Sequence, residues 1–430
     1  MTQTETPAPR PSYRALLDVP SLGRILLSMQ IARIAGSMVS IVVILLALQR
    51  FHSAQLAGAI GFASIAPGML ISPIAGALLD RHGRVPLIIL DYSVATASLA
   101  SVVALLAAGV LEPWMLLIIA AVSSLTAPLS NSGLRSLFPL LVPERLWERV
   151  NAMDSNGWVL ATVVGAPFGA LATQLFGFEA AISMIAAGFL VSALFMIGAR
   201  DPRSEIATTG RLLVDAWQGV VYTWNNRTLR ALAISLSLEN MAGGMIQIVV
   251  PVMILTNLGL HEDMVGYMFG LMGAFGVVSA FLSGRIRTAG REYRWIVFSS
   301  IGFTIATAIM LLPIGLAAIA VSMALAGMVN GPLDIAMFTL RQRRTDPAWM
   351  GRAFTVSMNL NFSGFPIGSA ITGAMLAIWP VQVAIIFGVA ANALGAFLAW
   401  ALLPRSDDAA SASPGGATAE VAGAGIAAER

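Results

Sequence analysis

Polar and charged positions punctuate this chain at long intervals, and the stretches between them are almost entirely apolar. Windows of about 20 apolar residues recur, the length that crosses a hydrocarbon core of about 30 Å as a helix. Twelve are read, at 22–49, 54–79, 86–109, 113–139, 148–176, 179–199, 229–257, 263–287, 294–313, 315–343, 351–378 and 381–404. The pattern predicts an all-α membrane protein with twelve transmembrane helices. Residues 1–15 and 405–430 are small, polar and rich in Pro and Gly, which predicts disordered tails. A first six-helix bundle is expected over 16–200, a linker over 201–228 and a second bundle over 229–404. Within the linker Leu213, Trp217, Val220, Val221 and Trp224 recur at helical spacing. That spacing predicts an amphipathic helix, lying on the inner leaflet or packed on the bundle.

The two halves resemble each other. AGSMVSIVV at 35–43 returns as AGGMIQIVV at 242–250, identical at six of nine positions with an offset of 207. GAPFGA at 165–170 returns as GFPIGS at 364–369, and Gly76 finds Gly284. Two bundles of six helices share one orientation, so an axis along the membrane normal relates them and a central cavity lies between them. Buried polar residues concentrate in the first helix of each three: Gln30, Arg33 and Ser40, then Asn131 and Ser132, then Glu239, Asn240 and Gln247, then Asn330 and Asp334. Helices 1, 4, 7 and 10 are therefore expected to line the cavity. The second of each three is glycine-rich, as at Gly58, Gly61 and Gly68 or Gly266, Gly270, Gly273 and Gly276, which lets helices approach closely.

Composition agrees with this pattern: 57% of residues are hydrophobic and 11% charged, against roughly 25% charged in soluble domains. Every basic residue is Arg, and all but Arg33 and Arg50 fall in or beside the N-terminus, the loops after even-numbered helices or the C-terminus. The positive-inside rule then places both termini in the cytoplasm. The first apolar run is too long for a cleaved secretion signal, so it is expected to stay as an anchor. The net charge of +3 follows from this topology and implies no nucleic-acid partner. Cysteine is absent, which excludes disulfides and thiol chemistry. His52, His82 and His261 stand in three separate loops, and neither H-E-x-x-H nor G-x-S-x-G occurs. No enzyme activity, cofactor or metal site is expected. Without Lys there is no P-loop lysine, so any work done across the membrane would draw on a gradient. One charge crossing 100 mV supplies about 2.3 kcal/mol.

Between helices 2 and 3 the chain reads GALLDRHGRVPL, with Gly76, Leu78, Asp80, Arg81, Gly83 and Arg84 in the pattern Gly-x-Leu-small-Asp-Arg-x-Gly-Arg-basic, while Leu79 and Val85 depart from it. With the two-bundle architecture, this motif resembles the major facilitator superfamily of secondary transporters over about residues 20–404. Arg33 in IARIAG, and Arg344, Pro347, Gly351 and Arg352 ahead of GFPIGSAITG, are similar to its macrolide-efflux and siderophore-export branch, a group of drug:proton antiporters. In that arrangement Asp80 would sit at the N-terminus of helix 11 near Gly351, where a carboxylate gains roughly 0.3–1 kcal/mol. Gly76, Asp80, Arg81, Gly83 and Arg84 would form a conformational latch, closed when the cavity opens outward. The alternative is an Arg-bearing loop that only fixes topology. The second-half counterpart carries Thr288 in place of Asp80.

Arg33, Glu239 and Asp334 lie roughly 15 Å deep at 1.5 Å per residue, each about ten residues from the cytoplasmic end of its helix. Burial favours the neutral form of a carboxyl group and a neighbouring guanidinium the charged form, so a carboxylate whose arginine partner comes and goes is a proton carrier. Glu239 is expected to couple transport to protons by pairing with Arg33 across the cleft, Asp334 coming second; a permanent structural ion pair is the alternative. Gln30, Asn131, Asn240, Gln247 and Asn330 complete the expected proton-coupling and substrate cavity. Asp91, Asp154 and Arg135 lie nearer the helix ends, where snorkelling or loop pairing is expected.

The resemblance and the acidic pair together imply proton-driven export of amphipathic or cationic small molecules by alternating access. The partners would be substrate, protons and the lipid bilayer, for a monomer in a bacterial cytoplasmic membrane. Import, export of one dedicated metabolite such as a siderophore, and a transport-inactive receptor or assembly subunit are the alternatives.

Overall fold

A computed structural model describes residues 13–143, 146–201, 212–283, 290–345 and 350–405. The helices are α1 (Leu22–Arg50), α2 (Ala54–Ala63), α3 (Ala66–His82), α4 (Arg84–Ala107), α5 (Pro113–Leu141), α6 (Trp147–Met196), α7 (Leu212–Asn225), α8 (Arg227–Val252), α9 (Glu262–Ser283), α10 (Glu292–Ile309), α11 (Leu316–Arg344), α12 (Met350–Phe362), α13 (Gly364–Leu376) and α14 (Val381–Leu402). Among the described residues nine helices are long and apolar enough to cross a membrane. α6 breaks at Gly177, whose φ of 80° and ψ of 172° are not helical, so its 50 residues form two legs. Counting those legs separately, and taking α2 with α3 and α12 with α13, the helices other than α7 group into twelve, of which α10 and the α12–α13 pair are not among those nine.

Expectations for the tails fall mostly on residues 1–12 and 406–430, outside the described residues. Tyr13–Leu16, however, form a 3-10 turn whose Leu16 is buried. The expected linker helix is present as α7, with Trp217, Val221 and Trp224 exposed in one stripe and Gly219 and Thr223 buried on the other side. The helix packs on α3, α8 and α12, as the second reading expects.

α1, α3, α4, α5 and α6 pack on one another as one group, and α8, α9, α10, α11, α13 and α14 as a second. The groups meet where α2 packs on α13 and α6 on α9, with smaller contacts of α1 and α2 on α8. All of these lie in the half of the molecule that the arginine distribution turns outward. Glycine makes the approach: a Cβ at Gly58 would collide with the Ser369 carbonyl oxygen and lie 2.7 Å from Gly373 Cα. Cβ atoms at Gly266 and Gly270 would lie 2.9 Å from Pro167 atoms, and one at Gly273 3.1 Å from Val163. With no apolar driving force between helices in lipid, such backbone contact is what holds them together.

The spans that seal the outer half are broken at mid-depth. Ser64 and Ile65 separate α2 from α3, and Ser363 separates α12 from α13. Below the breaks no extensive packing joins α3 to α12 among the described residues; each packs on α7 instead. The two groups are joined in the half that the arginine distribution predicts to face outward, and among the described residues they lack such packing in the other half.

Adding a side chain at this seam is therefore expected to part the two groups there. In the cysteine-free chain, Gly58→Val is expected to cut maleimide labelling of an Asn131→Cys reporter in the inner cleft by about tenfold, a shift of about 1.4 kcal/mol. Labelling equal to that of the reporter alone would show that the glycine contact does not set the state.

Candidate functional site

The seam is bridged at its outer half by side chains as well as backbones. Gln247 Nε2 on α8 donates to the Ser40 carbonyl on α1 at 3.2 Å. These two residues are counterparts at the offset of 207, so the contact marks the axis relating the halves. Nearer the outer surface Gln49 Nε2 donates to Glu262 Oε1, joining the end of α1 to the start of α9.

On the first wall Arg33 is tied to α6. Its Nη2 donates to Asp154 Oδ1 at 2.5 Å and its Nη1 to the Asp154 carbonyl at 2.7 Å. Its guanidinium lies 4.7 Å from the centroid of the Trp158 ring. Gln30, one turn earlier, donates to the Gly157 carbonyl at 3.2 Å. Arg135 of α5 brings Nε to 3.8 Å from Asp154 Oδ2. Asn131, one turn from Arg135, is exposed.

The counterpart of Arg33 on the second wall is Asn240, whose Nδ2 donates to Asn361 Oδ1 on α12 at 3.0 Å and to the Leu236 carbonyl at 2.9 Å. The same junction thus uses an ion pair in one half and a neutral amide pair in the other. Asn330 is exposed and donates to Asp334 Oδ2 at 2.9 Å. Two turns further along α11, Arg341 is fully buried, with Nε donating to Ser357 Oγ at 3.0 Å and Nη1 lying 2.7 Å from Met358 Sδ.

Glu239 differs from its expected setting. It is buried and turned from the seam towards α10 and α14: Ser300 Oγ donates to its Oε1 at 2.6 Å, and its Cγ lies 3.0 Å from where a Gly395 Cβ would be. Its Oε2 has no hydrogen-bond partner among the described residues. Arg33 and Glu239 therefore do not pair in this state. The reason is azimuthal: Asn240, Gly243 and Gly244 turn one side of α8 towards α12 and α13, and Glu239 lies a helical step away from that side. Asp154, read from its sequence position as a helix-end residue, is instead the carboxylate that holds Arg33. An acidic residue two turns inside a span, with Trp158 one turn on, was the available signal.

Of the expected latch, the side chains of Gly76, Asp80 and Gly351 and the counterpart segment 284–289 lie outside the described residues. Arg81 is exposed. Gly83 has φ 90° and makes the turn into α4. Arg84 is buried and donates from Nε to Ser136 Oγ at 3.1 Å, within its own group of helices. Asp201, which sequence reasoning missed, accepts from the Val85 backbone N–H at 3.1 Å and so caps α4. Asp91 is buried on α4.

The sequence profile of the Major Facilitator Superfamily matches residues 25–369. The chain is 35% identical over 368 residues to the uncharacterized MFS-type transporter y4rN of Sinorhizobium fredii, covering 85% of this chain and 91% of that one. It is 26% identical over 356 residues to the multidrug efflux pump Tap of Mycobacterium tuberculosis, covering 79% and 84%. The fold is similar to the crystal structure of the nucleoside transporter NupG, with a TM-score of 0.69 and 13% identity over 89% of this chain and 98% of that one. It is also similar to an inward-facing bacterial homologue of the iron transporter ferroportin, with a TM-score of 0.66 and 16% identity over 88% and 97%.

Removing the Asp154 carboxylate strands the Arg33 guanidinium, whose side chain is only 9% exposed. Asp154→Asn is expected to destabilise the purified protein by about 3–5 kcal/mol, and by about 1 kcal/mol or less when Arg33→Gln is already present. Denaturant titration of the four proteins in the double-mutant cycle measures the difference, and additive costs would mean that the pair carries no coupling.

Proposed function

The chain belongs to the major facilitator superfamily and is a carrier rather than an enzyme; from that premise we propose that it exports amphipathic small molecules by alternating access, coupled to protons. The observation that carries this reading is the one-sided seam. Outer halves held by backbone contact at Gly58, Gly373, Gly266 and Gly270, above inner halves that part at Ser64 and Ser363, form an inward-facing state of a two-state carrier. The similarity to a named multidrug efflux pump supports the outward direction. The arginine distribution supports a bacterial cytoplasmic membrane with both termini inside. The protein works as a monomer, since a cleft between its own two halves supplies the pathway.

Geometry changes the order of the proton-carrying candidates. Asp334 lies beside exposed Asn330 on the inner cleft, with Arg341 two turns along the same helix. The Asp334 carboxyl group is half-buried in this state and would change neighbours when α11 closes on the first wall. Glu239 is sealed among α8, α10 and α14 and takes the second place.

Proteoliposomes with an imposed pH gradient test the proposal. The expected result is gradient-dependent flux of a dansyl-labelled amphiphile, reduced about a hundredfold by Asp334→Asn while binding stays within about threefold. Loss at Glu239→Gln with Asp334→Asn intact would return coupling to Glu239. Bound probe without flux under any gradient would favour a receptor, and uptake against the expected direction an importer.

A further inference from the structure

We infer that Arg135, with the Arg33–Asp154 pair behind it, is a subsite for the anionic group of an amphipathic substrate. The inference takes from the carrier reading only that the seam is the substrate path. Three helices converge here, α1 through Arg33, α5 through Arg135 and α6 through Asp154, and they bring two guanidiniums to one carboxylate. Asp154 is committed to Arg33, which takes both Oδ1 and the backbone carbonyl and lies over Trp158. Arg135 is held loosely: its Nε is 3.8 Å from Oδ2, beyond hydrogen-bond length, and its side chain is 64% exposed. The cluster carries one positive charge in excess.

That excess matters when the inner halves close. An uncompensated guanidinium enclosed in the membrane costs at least about 2.5–3.5 kcal/mol, so closure over Arg135 is easier when an anion accompanies it. A cationic substrate would add a second charge of the same sign. On the opposite wall Asp334 and Arg341 stand on one helix and balance, and the remaining carboxyl group, Glu239, is turned from the seam towards α10 and α14. With Nε turned to Asp154, the terminal nitrogens of Arg135 remain for a planar carboxylate, the group a guanidinium binds best.

The apolar part of the substrate has its own platform. Trp158 is 43% exposed and lies one turn beyond Asp154. It shares the polar side of α6 with exposed Thr162, away from the lipid-facing stripe of Leu160, Val164 and Phe168. An aromatic surface beside a guanidinium suits an amphiphile with one carboxylate next to a flat apolar body. The cationic class expected from the sequence is the one this geometry disfavours.

The test is binding without a gradient. The full chain in nanodiscs is titrated with dansylglycine and dansylcadaverine, which share an apolar body and carry opposite charges, with empty nanodiscs subtracted. Dansylglycine is expected to bind about tenfold tighter. Arg135→Gln removes the preference and Arg135→Lys keeps most of it, whereas Trp158→Leu weakens both probes alike. Asp154→Asn raises dansylglycine affinity by freeing both arginines; should that variant fail to fold, Arg135→Gln decides alone. Equal or tighter binding of dansylcadaverine, a preference that survives Arg135→Gln, or no binding of either probe would overturn the subsite. A protein that shows the Arg135-dependent preference but no pH-driven flux supports the subsite and loses only proton coupling.

Discussion

Contact between helix backbones that carry no Cβ holds this molecule in its present state. In lipid an exposed leucine gains little by meeting another leucine, so helices adhere where small residues let their backbones touch. Gly58 against Gly373, and Gly266, Gly270 and Gly273 against α6, provide that contact, among the described residues, in one half of the molecule. Backbone contact of this kind is steep with distance, because a gap of half an ångström to one ångström forfeits a quarter to a half of the dispersion attraction. The seal is therefore either made or lost, which is the behaviour a two-state carrier needs. The mid-span breaks at Ser64 and Ser363 fall where contact stops, so the same two spans can be joined outside while their inner halves rest on α7.

The halves have one architecture and different chemistry. Ser40 and Gln247, counterparts by sequence, touch each other across the axis, whereas Arg33 and its counterpart Asn240 each reach into their own half. An ion pair and an amide pair tie the first helix to the fifth in the two halves, and only the ion pair has a second arginine beside it. Carboxyl groups outnumber such pairings in the second half, where Glu239 meets Ser300 and Asp334 meets Asn330. Under the proton-coupled reading proposed above, this division would separate two tasks: the surplus positive charge lies on one wall and Glu239 and Asp334 on the other, so substrate and proton would not compete for one group.

The spans, the linker helix and the repeat were legible because each is a pattern along the chain. Apolar length gave the crossings, the spacing of Trp217, Val221 and Trp224 gave α7, and the match of 35–43 with 242–250 placed Ser40 opposite Gln247. What the pattern could not give is azimuth. A helix apolar on nearly every side has no polar face to set its rotation, so depth alone suggested that Arg33 and Glu239 should meet. Arg33 has a long side chain that reaches down α6 to Asp154, and Glu239 is turned towards Ser300 by the glycines of α8 that face α13. Pro128, Pro167 and Pro332 stand within helices that continue through them, whereas Pro67 and Pro366 follow the breaks at Ser64 and Ser363 in the first turn of the next helix. A proline alone therefore does not mark a break, and neighbouring packing decides which of them interrupts the span.

The charged hinge shows how the same residues serve two levels of structure. Gly83 turns the chain, Asp201 caps the first N–H groups of α4 at Val85, and Arg84 is buried against Ser136 of α5. A carboxylate at a helix N-terminus is favoured by the dipole as well as by the hydrogen bond, so this end of the hinge is fixed to its own group of helices. Breaking it to reach the other half would uncover a buried guanidinium and an uncapped helix together. Arg81, exposed on the other side of Gly83, carries neither restraint. Arg84 is therefore part of the cohesion of the first bundle.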